Sequence, residues 1–314
     1  MGRSATDTAP SYLDLYERGE LHERIAVLRR ILRSCTLCAR QCRVNRLRGQ
    51  IGYCKAGARA SVSSAFPHFG EEAPLVGMHG SGTIFLAHCN LRCVFCQNYE
   101  ISHGGEGREV APEALASMML ALQKAGCHNI NFVTPTHYTP QLVEALPLAI
   151  EGGLHVPLVY NCGGYESVET IMLLEGVFDI YMPDAKFSNP TWAERYCAVP
   201  DYFEVNKRVL REMHRQVGVL KLDDRGIAYR GVLIRHLVMP NGVAGSEAVL
   251  RFVAEELSPE SYVNVMAQYR PCYHAHQFPE IARPVSHREV AEAVAVARRF
   301  GLHRGLAEYH DALW

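Results

Sequence analysis

The chain has 314 residues, is 48% hydrophobic and 21% charged, and carries a formal net charge of −1 with a pI near 6.9. That is enough apolar material for one barrel-sized unit or two smaller ones. The charge balance gives no support for a nucleic-acid or membrane partner. No apolar run reaches the ~20 residues that span a bilayer, and the polar start, MGRSATDTAPSYLDLYERGE, lacks a signal core. Gly2 with Thr6 loosely fits a myristoylation pattern, but no second lipidation signal accompanies it. The expected location is the cytoplasm.

Eleven cysteines are many for such a chain. Without a secretion signal they are expected to stay reduced, and clustered thiols then point to metal. Seven of them fall in two groups: Cys35, Cys38, Cys42 and Cys54, then Cys89, Cys93 and Cys96. Cys127, Cys162, Cys197 and Cys272 are scattered.

In chain order, residues 12–32 read as one helix from apolar residues at helical spacing. The first cysteine group follows, in a basic, glycine-punctuated stretch with little apolar periodicity, which needs its thiols tied together to hold a shape. Residues 60–66 read as a short strand. From Gly82 strands and helices alternate: GTIFLA, helix 112–125, NINFVTP, helix 141–151, VPLVYNCGG, helix 167–174, FDIYMPDAK, one or two helices over 189–217, GVLIRHLVMP, helix 245–257, YVNVMAQY and a final helix SHREVAEAVAVARRFG. Strands separated by helices of this length imply right-handed βαβ units and a parallel sheet covered on both faces. The expected fold is α/β: a partial (β/α)6 TIM-like barrel at residues 81–314, preceded by an N-terminal helical, cysteine-rich extension at residues 1–80. A doubly wound sheet is the alternative. In either fold the chemistry belongs at the C-terminal ends of the strands.

Polar and reactive residues gather at those ends: Cys89, then Thr134 to His137, Asn161 to Gly164, Asp184 to Lys186, His236 with Met239, and Gln268 to Arg270. CNLRCVFC places three thiols at C-x3-C-x2-C spacing directly after the first strand. Three thiolates on one short loop can hold three irons of a cubane and leave the fourth iron open, which makes a metal site catalytic rather than structural. A zinc knuckle completed by His88 is the competing reading.

This motif, with Phe95 at its aromatic position, resembles the signature of the radical SAM superfamily. The resemblance implies a [4Fe–4S] cluster on Cys89, Cys93 and Cys96. It also implies S-adenosylmethionine on the open iron, cleaved by one electron to a 5′-deoxyadenosyl radical that abstracts hydrogen. Phe95 would lie near the adenine. Within the superfamily, SCTLCARQC…GYCKAG, HFGEEAPLVG, NFVTPTHYTP, PLVYNCGGY, YMPDAKF and RHLVMP resemble the pyruvate formate-lyase activating enzymes and their relatives. Where the superfamily carries Gly-Gly-Glu, this chain has Thr134–Pro135–Thr136–His137, and Thr134 and Thr136 offer oxygens to the methionine ammonium.

By the same resemblance Asn161, Asp184 and Lys186 bind the cofactor, with a monovalent cation between the acidic position and the cofactor carboxylate. Asn161 in place of Asp weakens such a cation site. His236 and Met239 are candidate contacts of the ribose and adenine; Gln268, Tyr269 and Arg270 are substrate-side candidates. The implied partners are a reduced flavodoxin or ferredoxin-type electron donor and a glycyl radical enzyme. The alternatives are a radical enzyme acting on a small molecule or peptide, and a non-catalytic iron–sulfur electron carrier or metal-binding scaffold.

Cys35-x2-Cys38-x3-Cys42-x11-Cys54 supplies the four thiolates of a closed tetrahedral site. Structural zinc and a second iron–sulfur cluster both fit it, because thiolates alone do not choose between them.

Overall fold

The computed structural model describes residues 9–306; the possible myristoylation pattern at Gly2 and Thr6 lies outside them. The N-terminal segment forms α1 (Ser11–Glu17) and α2 (Glu20–Ile31) rather than one helix. The break is Gly19, whose φ of +76° suits glycine but not a helix interior. Both helices rest on the barrel. Ser11 donates through its backbone N–H and hydroxyl to Asp179 (3.0 and 2.7 Å), and Tyr12 donates to the carbonyl of Val156 (2.9 Å).

The sheet begins with β1 (Ala60–His68), followed by α3 (Ala73–Val76), β2 (Ser81–Leu86), α4 (Tyr99–Ser102), β3 (Arg108–Val110), α5 (Pro112–Lys124) and β4 (Ile130–Val133). It continues with α6 (Thr139–Glu151), β5 (Leu158–Cys162), α7 (Val168–Leu173) and β6 (Ile180–Pro183). Two helices follow, α8 (Pro190–Cys197) and α9 (Tyr202–Val217), separated where Ala198 turns to φ +54°. The hairpin β7 (Lys221–Leu222) and β8 (Ala228–Leu237), α10 (Ser246–Phe252), β9 (Tyr262–Met266) and α11 (His287–Arg299) complete the chain.

Strands β2, β4, β5, β6, β8 and β9 pair in that order, each parallel to the next. The spatial order never reverses, so there is no topological switch point and the doubly wound alternative is excluded. This is the partial (β/α)6 TIM-like barrel. Strand β1 pairs antiparallel with β2 and β3 with β1, additions that the sequence pattern did not indicate beyond one strand at 60–66. The strands facing the interior are almost wholly buried, as a sheet covered on both sides requires: β5 and β6 have no exposed residue. No helix among the described residues is long and apolar enough to cross a membrane.

Candidate functional site

The loop after β2 carries Cys89, Cys93 and Cys96, and the barrel grips it from several sides. Val94 N–H donates to the carbonyl of Tyr196 at the end of α8 (2.9 Å), and Asn90 Nδ2 donates to the carbonyl of Tyr165 (2.8 Å). His103 Nε2 lies 3.0 Å from the carbonyl of Cys93. His88 and Arg92 bracket Cys89 at φ +71° and +54°, left-handed conformations that side chains seldom adopt. Thr134, at the end of β4, has φ +60° although its side chain is β-branched. Strain of this kind costs on the order of 1–3 kcal/mol and persists where surrounding structure enforces it, often at functional sites.

All three thiols line one cavity of about 170 Å³ at the C-terminal ends of the strands, together with Thr134, Asn161, Asp184 and Lys186. Four of the eight residues expected to bind cofactor therefore line this cavity: Thr134 and Asn161 at the ends of the neighbouring strands β4 and β5, and Asp184 and Lys186 just beyond β6. The other four are placed elsewhere. Phe95 is buried against Phe187, Tyr196 and Tyr269. Thr136 donates to Glu166 (2.6 Å) behind the cavity wall. His236 is fully buried, with Nδ1 2.6 Å from the carbonyl of Ala185 and Nε2 2.8 Å from Ser246 Oγ. Met239 lines a separate cavity of about 530 Å³ between α10 and α11. Of the substrate-side candidates, Gln268 and Arg270 line a cavity of about 420 Å³ that also contains Gln97, the residue after Cys96. Tyr269 lines that cavity too, with its hydroxyl donated to the carbonyl of Ile281 (2.7 Å).

Sequence reasoning missed Arg235. Its guanidinium donates to Asp184 Oδ1 (3.0 Å) and to Asn161 Oδ1 (2.8 Å), while Lys186 Nζ sits 2.5 Å from Asp184 Oδ2. Burial alone would raise the Asp184 pKa, but Arg235 and Lys186 outweigh it and hold the carboxyl below its usual range. Burial would likewise lower the Lys186 pKa, and the Asp184 charge more than reverses this. The oxygens of Asn161 and Asp184, where the resemblance implies a monovalent cation, accept from the Arg235 guanidinium. A charged residue inside the apolar run GVLIRHLV was the available signal, since a buried charge demands a partner.

The surroundings of the three thiols raise their pKa values in the absence of metal. Burial pushes the Cys89 pKa up to about 12 and also raises that of Cys96. Cys93 is raised by its contact with Cys197, 3.1 Å away, and then by burial. Cys197, scattered in the sequence, thus stands directly behind Cys93. Glu166 was also missed. It is buried beside Cys162 and Thr136, and burial raises its pKa to about 7 against the pull of the Thr136 and Cys162 hydrogen bonds. A clamp fixes the rim between β5 and β6: Asn206 Nδ2 lies 2.9 Å from the carbonyls of both Gly164 and Asp184, and Tyr202 Oη lies 2.8 Å from the carbonyl of Gly163.

The four-cysteine segment has a single 3-10 turn, Arg46–Arg48, as regular structure. All four thiols line one small void, shared with Asn90. Burial pushes the Cys38 pKa up to about 12, reinforced by the neighbouring thiols. Two arginines dock the segment. Arg40 donates to the carbonyls of Asn90 (2.5 Å) and Cys197 (2.9 Å), and its guanidinium stacks 3.4 Å from the Tyr53 ring centre. Arg46, 1% exposed, donates to the carbonyls of Gly57 (2.9 Å) and His137 (2.6 Å). A backbone bridge pairs Cys38 with Glu166. Among the described residues no three His, Cys, Asp or Glu side chains converge on one point in the way a single ion requires. Thiols around a cubane bind separate irons and need not converge.

The family model of the Radical SAM superfamily matches residues 83–241, the stretch from β2 to just beyond β8 that contains the three-cysteine loop and the Asp184–Arg235 pair. The chain belongs to the radical SAM superfamily. Over 300 residues it is 33% identical to an uncharacterized protein of Methanocaldococcus jannaschii, an alignment covering 93% of this chain and 80% of that one.

Among solved structures, methylornithine synthase aligns at 14% identity and a TM-score of 0.47, over 71% of this chain and 63% of that one. The [FeFe]-hydrogenase maturase HydG aligns at 14% identity and 0.49, over 71% and 50%. A third, anSMEcpe with bound AdoMet and a Cp18Cys peptide, aligns at 12% and 0.44, over 68% and 56%. The chain thus spans between half and two thirds of the length of these structures. Family membership brings a [4Fe–4S] cluster, S-adenosylmethionine and a need for a reducing electron donor. The donor set fits: three cysteine thiols share a cavity with a lysine, an arginine and one carboxylate.

Proposed function

We propose that Cys89, Cys93 and Cys96 hold the cluster and that the cavity beside them receives S-adenosylmethionine. When bound, cluster and cofactor together supply a 5′-deoxyadenosyl radical for hydrogen abstraction. The observation that carries this reading is the shared cavity, in which three thiols stand with Lys186, Asp184 and Arg235. Lys186 and Arg235 are matched by Asp184 and by Glu71, 3.8 Å from Arg235, and Lys186 on the cavity lining is placed to meet the cofactor carboxylate or a ligating thiolate. Arg235 bridges Asp184 and Asn161 and holds the ends of β5 and β6 in register. It stands where the resembling enzymes are expected to use a cation. Thr134 presents its oxygens from a strained backbone that fixes their direction.

Residues 1–80 form a metal-binding extension to the barrel unit of residues 81–314. Cys35, Cys38, Cys42 and Cys54 bind zinc or a second iron–sulfur cluster there, which would tie together a segment with little core of its own. The substrate is a backbone glycine of a partner glycyl radical enzyme, and the electron donor is a flavodoxin or ferredoxin; both follow from the resemblance of the strand-end motifs to activating enzymes. A second reading, a small molecule or peptide as substrate, is favoured by the cavity of about 420 Å³ beside Gln97, since small-molecule pockets span about 300–1,000 Å³.

Anaerobic reconstitution followed by dithionite and S-adenosylmethionine should yield 5′-deoxyadenosine; yield no higher than that of Cys93→Ala refutes the proposal. Metal analysis of the Cys89/Cys93/Cys96 triple alanine variant reads the second site: retained iron identifies a cluster and zinc identifies a structural ion. A glycyl radical detected by electron paramagnetic resonance in a co-incubated partner separates the activating role from small-molecule chemistry.

A further inference from the structure

Residues 24–70 contain ten basic side chains and no Asp or Glu, in a chain whose net charge is −1. This stretch includes the four-cysteine segment. Its inner side is committed to the barrel through Leu37, Cys38 and Arg46, all buried. Its outer side exposes Arg33, Arg43, Arg48, Lys55 and Arg59. None of these five is ion-paired to a carboxylate among the described residues, whereas many other surface arginines are. Leu47 and Ile51, 41% and 57% exposed, lie between the charges in sequence. Glu109 stands at one edge, near Gly57.

The segment also touches the three-cysteine loop. Asn90, next in sequence to Cys89, lines the void that the four thiols line, and Arg40 of the segment donates to its carbonyl. Resting on the radical SAM reading above, we infer that the outer side of residues 33–59 is the docking surface for the electron donor, an acidic one-electron carrier protein. Unpaired cations steer an acidic partner and raise its encounter rate. Two exposed apolar side chains give the encounter a contact to settle on, and redox encounters need little area. One electron leaves the carrier's reduced cofactor and arrives on the cluster; the carrier is oxidised by one electron, the cluster is reduced by one, and no bond in either protein forms or breaks. Nucleic acid also favours cations, but the segment that carries this surface touches the three-cysteine loop on its other side, where an electron rather than a base has a use.

The test uses reconstituted holoprotein, an acidic flavodoxin as probe, dithionite as the small reductant and a DNA duplex as the competing ligand. Flavodoxin should bind the wild-type protein, and raising salt from about 50 mM to about 500 mM should weaken it, as a screened contact requires. Arg43→Glu/Arg48→Glu/Lys55→Glu should weaken binding and slow flavodoxin-driven cluster bleaching at least about tenfold, with iron content and the dithionite rate unchanged. Arg33→Glu/Arg59→Glu, in which neither position is next to a thiol in sequence as Arg43 and Lys55 are, guards against loss of metal in the triple variant and should act in the same direction. Salt-independent binding, unchanged flavodoxin rates in both variants, an equal loss with dithionite, or tighter binding of the duplex than of flavodoxin would each overturn the inference. Failure of the wild type to make 5′-deoxyadenosine with dithionite would instead strike the catalytic reading, and the binding comparison would still stand as a result.

Discussion

The two cysteine groups are built in opposite ways. Cys89, Cys93 and Cys96 follow a strand buried in the barrel core and are held by backbone hydrogen bonds from α8 and the loop itself. Cys35, Cys38, Cys42 and Cys54 sit on a segment with one 3-10 turn, docked by two arginines that reach carbonyls of the barrel. The first geometry comes with the fold, and the second hangs on arginine contacts to the barrel. The difference teaches where damage should be local and where it should spread.

The largest expected effect is functional. Cys93→Ala should reduce 5′-deoxyadenosine formation to background while changing unfolding free energy by only ~1 kcal/mol, because the loop keeps its anchors; a collapse in thermal stability would break the comparison. Asp184→Asn should cost about 3–5 kcal/mol in denaturant unfolding, since it leaves Lys186 buried without its counter-charge and Arg235 with only the longer pair to Glu71 (3.8 Å).

Glu166 gives a pH handle on the junction between the groups. Its folded pKa of about 7 lies above the ~4.3 of an unfolded chain. The folded state therefore holds the extra proton. That contribution to stability is complete below about pH 4 and is lost as pH rises to about 7, amounting to ~4 kcal/mol. Glu166→Gln should flatten that slope in apoprotein unfolding curves, and an unchanged slope would remove Glu166 from the account.

Arg46→Met should cost on the order of 2 kcal/mol by stranding the carbonyls of Gly57 and His137. Limited proteolysis should then cut the four-cysteine segment first and leave the barrel intact. The smallest effect is Cys197→Ala: loss of a thiol 3.1 Å from Cys93 should move the cluster reduction potential by tens of millivolts, on the order of one hydrogen bond to a ligating sulfur. Titration with and without the substitution measures it.

Much of this was legible in the sequence. Six alternations of apolar strand and amphipathic helix announce the parallel barrel, and C-x3-C-x2-C at the first strand end announces the cavity. Strand-end position also brought Thr134, Asn161, Asp184 and Lys186 to that cavity. It failed for His236 because side chains alternate along a strand: Arg235 faces the cavity, and His236 turns to Ala185 and Ser246. Thr136 lies past the strand, in a 3-10 turn that carries its hydroxyl to Glu166. The Cys197–Cys93 contact and the Arg40 bond to the Cys197 carbonyl were illegible because each joins residues more than a hundred apart in sequence, where local pattern carries no information.

Gly164 has a consequence for how this chain can vary. Its φ is +75°, and a Cβ there would collide with the Asp184 carbonyl and the Asn206 amide. Both obstacles belong to the clamp that sets the cavity wall, so neither can yield without moving Asp184. In a library of all single substitutions selected for folding, position 164 should return glycine alone, while the neighbouring Ser167 helix cap tolerates its usual replacements.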